Sequence, residues 1–281
     1  MRSRGTGAWA PMWVLTLGLA GLAGGSVGAD GAPRPRIAAH RGGALLWAEN
    51  SLAAFRGALA LGVDLLELDV HTTKDGEVVV IHDPTLERTT TGRGAVRDMT
   101  WAELGGVTLR GTADEKVPRL RDVLALVGPS GVGLLVEIKM GADRAPYPGI
   151  EEQVLALLEE FGVFDRTTVM AFEWETLVRL RARSATVRLT GLLNQRGAER
   201  MGGVRSAAAR LAALRANDLG IERTLLTADA VAAARSAGLT IGVWTVNQPE
   251  EIARALAAGV DYVTTDRPDL ALTLRGGAPT R

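Results

Sequence analysis

Glu67, Asp69 and Glu137 are the residues whose types and spacing first point to chemistry. In Leu65-Leu66-Glu67-Leu68-Asp69-Val70, the alternation of a β-strand sends Glu67 and Asp69 to one face and Leu66, Leu68 and Val70 to the other. Leu134-Leu135-Val136-Glu137-Ile138-Lys139 repeats the pattern, so Glu137 and Lys139 share a face opposite the aliphatic residues. Carboxylates brought together in a partly desolvated place repel, unless a cation neutralises them or arginines such as Arg41 pair with them. The chain has no cysteine, which leaves only oxygen and nitrogen ligands. A hard divalent ion such as Mg²⁺ or Ca²⁺ matches three carboxylates. Lys74, Lys116 and Lys139 are the lysines among 32 basic residues, so the ammonium at 139 is an unusual choice where arginine is the rule.

The chain has three histidines. His40 closes an apolar run and precedes Arg41-Gly42-Gly43, while His82 follows Val78-Val79-Val80-Ile81 and precedes Asp83-Pro84. An imidazole at a strand end can act as acid or base near neutral pH, or serve as a buried, hydrogen-bonded structural group. His71 has the parity of Asp69 but lies where its strand gives way, and is expected to be structural.

The elements that must position these groups alternate along the chain. Short β-type runs occur at 36–40, 64–70, 133–140, 167–171, 186–192, 212–216, 240–246 and 261–265. Stretches with helical spacing lie between them at 51–61, 120–127, 150–161, 174–182, 198–211, 227–237 and 249–257. Eight runs alternating with helices give an α/β chain with a parallel sheet, closed as a (β/α)8 TIM barrel or open and doubly wound. The barrel matches the chain's size and is the expected fold. Residues 71–118 interrupt the alternation. Glu77–Ile81 after Lys74-Asp75-Gly76 reads as a small hairpin, which makes this stretch a small insertion after the second strand, on the face where barrel active sites lie.

Composition bounds the function. Of 281 residues, 47% are apolar and 23% charged, which excludes a disordered chain. Thirty-two basic residues balance 32 acidic ones, so there is no electrostatic footprint for nucleic acid, and a small-molecule ligand is expected instead. Residues 1–29 carry only Arg2 and Arg4 as charges, an apolar stretch from Ala8 to Ala23, and then small residues up to Ala29. The stretch is shorter than the ~20 residues of a membrane-spanning helix. It reads as a signal peptide cleaved near Ala29. The expectation is an exported barrel domain over 30–281, slightly acidic, periplasmic or extracellular, with no membrane span after processing.

Taken together, the blocks resemble the glycerophosphodiester phosphodiesterases. The similarity runs through His40-Arg41-Gly42, Glu49-Asn50-Ser51-Leu52-Ala53-Ala54-Phe55, Glu67-Leu68-Asp69-Val70, Thr73-Lys74-Asp75-Gly76 and His82-Asp83-Pro84-Thr85-Leu86-Glu87-Arg88-Thr89-Thr90. It resumes at Val136-Glu137-Ile138-Lys139, Tyr147-Pro148-Gly149, Val243-Trp244-Thr245-Val246-Asn247 and Asp261-Tyr262-Val263-Thr264-Thr265-Asp266-Arg267-Pro268. The blocks keep the family's order over nearly all of the chain after residue 29.

The resemblance implies a (β/α)8 barrel that hydrolyses glycerophosphodiesters to glycerol 3-phosphate and an alcohol. It implies that Glu67, Asp69 and Glu137 hold one divalent cation, that His40 and His82 do acid-base work, and that Arg41 and Lys139 meet the phosphate. It makes Glu49 either a further ligand or a partner beside the metal and the first histidine, and Trp244 an aromatic wall of the substrate pocket. Ala48 stands where the family commonly has proline before its Glu-Asn pair, and residues 194–218 match poorly. Two other readings are a phospholipase D-like or phosphatidylinositol-cleaving barrel acting on whole lipids, and a non-catalytic secreted module that binds a phosphorylated ligand.

Overall fold

The structure is a computed structural model that describes Met1 and residues 34–276. The expected signal peptide lies outside the described residues. The strands are β1 (Arg36–Ala39), β2 (Leu65–Thr72), β3 (Val78–Val80), β4 (Gly133–Ile138), β5 (Thr167–Ala171), β6 (Arg188–Leu193), β7 (Asp218–Glu222), β8 (Thr240–Trp244) and β9 (Tyr262–Thr265). The helices are α1 (Leu52–Leu61), α2 (Trp101–Leu104), α3 (Leu120–Val127), α4 (Ile150–Glu160), α5 (Trp174–Arg183), α6 (Gln195–Met201), α7 (Val204–Ala213), α8 (Ala228–Ser236), α9 (Pro249–Ala257) and α10 (Pro268–Gly276).

The sheet runs β1-β9-β8-β7-β6-β5-β4-β2-β3, and β1 also pairs with β2. That second pairing closes a barrel of eight parallel strands, with β3 added antiparallel to the end of β2. The expected fold is therefore present, and the open doubly wound alternative is excluded.

The alternation in β2 and β4 works as the spacing predicts. Leu66, Leu68 and Val70, with Leu134, Val136 and Ile138, join the large core between sheet and helices. Each such buried aliphatic side chain contributes about 1.5–3 kcal/mol over an exposed one. The opposite parity fills the barrel: Leu65 and Leu135 pack with Ala38, Met170, Leu192 and Tyr262. Tyr262 reaches the axis because its neighbour across the ladder is Gly242, where a Cβ would lie only 2.0 Å from the tyrosine Cζ. Above this apolar plug the same strands carry Glu67, Asp69 and Glu137, with Asp69 and Glu137 in direct register.

The stretch after β2 is a hairpin, as expected, pairing Val70 with Val80, His71 with Val79 and Thr72 with Val78. β2 thus runs on through His71 and Thr72 before the insertion begins. The insertion has its own small core, in which Val79 and Ile81 pack with Leu86, Val96, Leu104, Val107, Leu109 and Val117.

One run is misplaced in the sequence reading. Ala212–Ala216 is not a strand, because α7 occupies residues up to Ala213 and the sixth barrel strand is β7, Asp218–Glu222. The inward face of β7 opens on a buried aspartate and includes a glycine, so it shows no apolar run. Asp218 is tolerated there because Thr190 Oγ1 donates to it at 3.2 Å and Thr240 Oγ1 donates as well. The single helix expected over 198–211 is two, broken where Gly202 (φ 80°) and Gly203 (φ 95°) take backbone conformations that an L side chain resists. No helix among the described residues is long and apolar enough to cross a membrane.

Candidate active site

All the expected site residues except Glu49 converge on or beside one pocket at the carboxyl ends of the strands. His40, Arg41, Glu67, His82, Glu137 and Lys139 form its polar side. Met170, Phe172, Leu192 and Trp244 form an apolar wall opposite in character. The pocket holds about 520 Å³ out to its open mouth, within the ~300–1,000 Å³ common for small-ligand sites. Trp244 meets Phe172 edge to face, with ring centres 5.3 Å apart and planes at 87°. Phe172, just beyond β5, was not singled out in the sequence, since an isolated Phe-Glu-Trp carries no motif.

Glu67, Asp69 and Glu137 are buried and bring one oxygen each within 4.8 Å of one another. Two oxygens ligating one hard cation at ~2.4 Å can be no farther apart than about this. Burial, reinforced by the charge of Asp69, pushes Glu67 up to about 8. Burial likewise raises Glu137, although Lys139 pulls the other way. Burial opposes ionisation of Asp69 too, but Lys139, His82 and Arg41 outweigh it and hold that carboxyl well below the ordinary range. A cluster that retains a proton at neutral pH is one in which a cation can take the proton's place. Asp69 Oδ1 is buried and accepts no hydrogen bond, with Lys139 Nζ 3.3 Å away. The donor set, the span and this orphaned oxygen all fit a hard divalent ion.

The cations around the cluster are themselves tied down. Arg41 sits in the left-handed region (φ 53°), which turns its backbone N–H onto Glu67 Oε2 at 2.8 Å. Its guanidinium donates to Glu49 at 3.0 Å and lies 3.5 Å from Asp69. Lys139 Nζ is 2.8 Å from Glu137 Oε1. Glu49 stands outside the carboxylate cluster and is gripped by both Arg41 and Arg88, the latter with two hydrogen bonds of 2.8 Å.

Each histidine expected in catalysis is anchored through Nδ1 by an aspartate. His40 Nδ1 lies 2.6 Å from Asp266 Oδ1, and Asp266 is held in turn by Asn247 Nδ2 at 2.6 Å. His82 Nδ1 lies 2.7 Å from Asp83 Oδ1, and Asp83 is held by Arg88 Nε at 2.6 Å. A carboxylate on Nδ1 fixes the proton there and leaves Nε2 as the nitrogen that can exchange a proton. Burial works against protonation of His40, but Glu67 and Asp266 outweigh it and raise its pKa above 6.5. Burial lowers that of His82, and Lys139 and Arg41 add to the effect. Asp266, Asp83, Arg88 and Asn247 were visible in the sequence only as members of matching blocks. Their role as anchors depends on barrel closure and on the insertion folding back.

His71 is fully buried, and burial pushes it down to about 4, so it is neutral. Its ring nitrogens lie 2.8 Å from the Tyr147 hydroxyl and 3.1 Å from the His82 carbonyl oxygen. The structural role expected for it is what the contacts show.

A closed parallel barrel whose mouth joins three carboxylates to two anchored histidines and two cations has groups that can neutralise an anion and exchange protons, the equipment that hydrolysis of a phosphate ester requires. Comparison makes this specific. Residues 40–270 match the Glycerophosphoryl diester phosphodiesterase family. A glycerophosphodiester phosphodiesterase of Caldanaerobacter subterraneus subsp. tengcongensis is 34% identical over 248 residues, covering 86% of this chain and 98% of the relative. The crystal structure of a glycerophosphodiester phosphodiesterase from Agrobacterium tumefaciens superposes with a TM-score of 0.70 at 30% identity, over 84% of this chain and 99% of that one. That of a glycerophosphodiester phosphodiesterase from Thermotoga maritima gives 0.69 at 27% identity, over 85% and 98%. The chain belongs to the glycerophosphoryl diester phosphodiesterase family and is an enzyme of that family, a phosphoric diester hydrolase.

Proposed function

We propose that the pocket hydrolyses small glycerophosphodiesters to glycerol 3-phosphate and an alcohol, with His40 and His82 exchanging the protons. The observation that carries this reading is the meeting, in one pocket, of the carboxylate cluster with two histidines whose Nδ1 atoms are both fixed by aspartates. Glu67, Asp69 and Glu137 would hold one Mg²⁺ or Ca²⁺, whose charge when bound offsets that of the phosphate oxygens.

A phosphodiester resists attack because its anionic oxygens repel nucleophiles. Arg41 and Lys139 answer that charge from fixed positions, since Glu49 and Glu137 prevent either side chain from swinging away. Preorganised cations of this kind gain strength as charge builds in the transition state. One histidine accepts the proton of the attacking hydroxyl through Nε2, and the other gives a proton to the departing alkoxide. The hydroxyl is the glycerol 2-OH, which gives a cyclic phosphate that water opens, or water itself. Phe172 and Trp244 pack on the carbon part of the substrate and keep bulk water from the polar side.

Release of glycerol 3-phosphate from glycerophosphocholine by the full chain, with and without chelator, tests this reading. No release at any metal concentration overturns it. The reading extends to location, with residues 1–29 acting as a signal peptide and the enzyme working outside the cytoplasm. Its support is the apolar stretch and the small residues before Asp30. A mature N-terminus at or near Asp30 is expected, and an intact Met1 on the exported protein counts against it.

A further inference from the structure

His71 is a buried group that the proposed reaction does not use and that nevertheless touches the machinery. A carbonyl oxygen can only accept, so the 3.1 Å contact with the His82 carbonyl requires a proton on His71 Nε2. Nδ1 then carries the lone pair, and the Tyr147 hydroxyl, 2.8 Å away, donates to it. One tautomer satisfies both contacts. The tyrosine is fixed in its turn: it is 3% exposed, meets the imidazole edge to face at 5.5 Å, and lies under the Arg97 guanidinium at 5.1 Å.

His82 needs such a support. Ile81 N–H donates to the Asp69 carbonyl at 3.0 Å, and the next anchor along the chain is Val96 N–H on the Pro84 carbonyl, also at 3.0 Å. Between the two, the His82 carbonyl is held by the imidazole of His71. Asp83 fixes the direction of the His82 ring and is tied to Glu49 only through the half-exposed Arg88 side chain, whereas His71 holds the backbone of the segment directly from β2.

We infer that His71, oriented by Tyr147, is a positioning residue that sets the place of His82 relative to the carboxylates of β2. The imidazole stands on the strand that carries Glu67 and Asp69 and grips the backbone of the catalytic candidate in the insertion. It thus converts the rigidity of the barrel into a fixed distance between the acid-base group and the phosphate site. Displacements well under 1 Å matter at this point, since a 1 Å error can cost about 10²-fold in rate. The inference rests on His82 taking part in the reaction proposed above.

The test compares His71→Ala, His71→Gln and Tyr147→Phe in the full chain. His71→Ala is expected to lower kcat on glycerophosphocholine about 10–100-fold, with KM and divalent-metal affinity changed by less than about twofold. Unchanged metal affinity separates this effect from damage to Asp69, two residues away. His71→Gln, whose amide can donate to the His82 carbonyl, is expected to recover most of kcat. Tyr147→Phe keeps the ring packing and is expected to lose about 3–10-fold, and it serves as the deciding variant where His71→Ala does not fold. A second readout is independent of turnover: with three histidines in the chain, the His82 imidazole ¹⁵N signals can be followed singly. They are expected to shift or broaden in His71→Ala and Tyr147→Phe and to return in His71→Gln. Full kcat with unmoved His82 signals in Tyr147→Phe, or a loss that His71→Gln does not repair, overturns the inference. A wild-type chain inert toward all phosphodiesters overturns the functional reading instead, and the imidazole signals still decide this one.

Discussion

His40 Nδ1 lies 2.6 Å from Asp266 Oδ1, which ties the end of β1 to the end of β9 where the first and last strands of the chain pair. The pair lies 226 residues apart in sequence, so only closure can assemble it. Asp266→Asn keeps the shape of the contact but offers His40 an amide that satisfies the wrong tautomer equally well. We expect kcat to fall about 10²–10⁴-fold, with metal affinity changed little. Wild-type turnover in Asp266→Asn would show that the aspartate does not govern His40.

The histidines themselves give a second expectation. Acid-base groups contribute typically ~10²–10⁴-fold each, so His40→Ala and His82→Ala should each lose about that much turnover while retaining the metal. Calorimetric titration of the variants with Mg²⁺ or Ca²⁺ checks the second clause. Loss of metal binding in both would recast the imidazoles as parts of the cation site.

How much of this could be read in the chain depends on whether a residue's partners lie within one element. Glu67 and Asp69 share a strand and Glu137 lies in another with Lys139 directly past its end, so strand alternation alone sends each pair inward, and the cluster follows. The hairpin after β2 is equally local. β7 escaped because its inward face is not apolar: Asp218 is buried on hydrogen bonds from Thr190 and Thr240, which are remote in sequence. The same limit hid the anchors. That Arg88 joins Asp83 to Glu49, a carboxylate 39 residues back, is a property of the folded insertion. Phe172 became part of the wall only once the curved sheet brought the end of β5 within reach of Trp244 at the end of β8, three strands away.

The carboxylate cluster predicts how metal stabilisation varies with pH. In the metal-free fold Glu67 is raised from 4.5 to about 8. Between those values the folded state binds more protons at this site than the unfolded chain does, so this group's contribution to stability falls as pH rises. A bound cation removes the proton and with it this pH-dependent loss. The melting temperature with saturating Mg²⁺ or Ca²⁺, minus that in EDTA, should therefore widen from pH 6 to 8 and level off above. Taking the difference cancels, to first order, the titration of groups remote from the cluster, and a constant difference across this range would contradict the assignment of Glu67 as a ligand.

Substrate selectivity follows from how the pocket divides. On the proposed reading its charged side takes the phosphate, whereas the wall of Met170, Phe172, Leu192 and Trp244, with Thr245 and Thr264 beside it, offers the alcohol half no carboxylate. Such a wall recognises carbon surface, and with the Trp244 indole N–H as its buried donor it discriminates poorly among polar head groups. Glycerophosphocholine, glycerophosphoethanolamine and glycerophosphoglycerol should accordingly show kcat/KM values within roughly tenfold of one another, about 1.4 kcal/mol in transition-state binding. Trp244→Ala should raise KM for all three by a similar factor, on the order of tenfold, with a smaller change in kcat, since the ring contributes packing and not proton transfer. Steady-state kinetics on the three substrates decides the matter. A preference above a hundredfold for one head group would place a specific contact in the loops after β6 and β7, whose residues do not line this pocket.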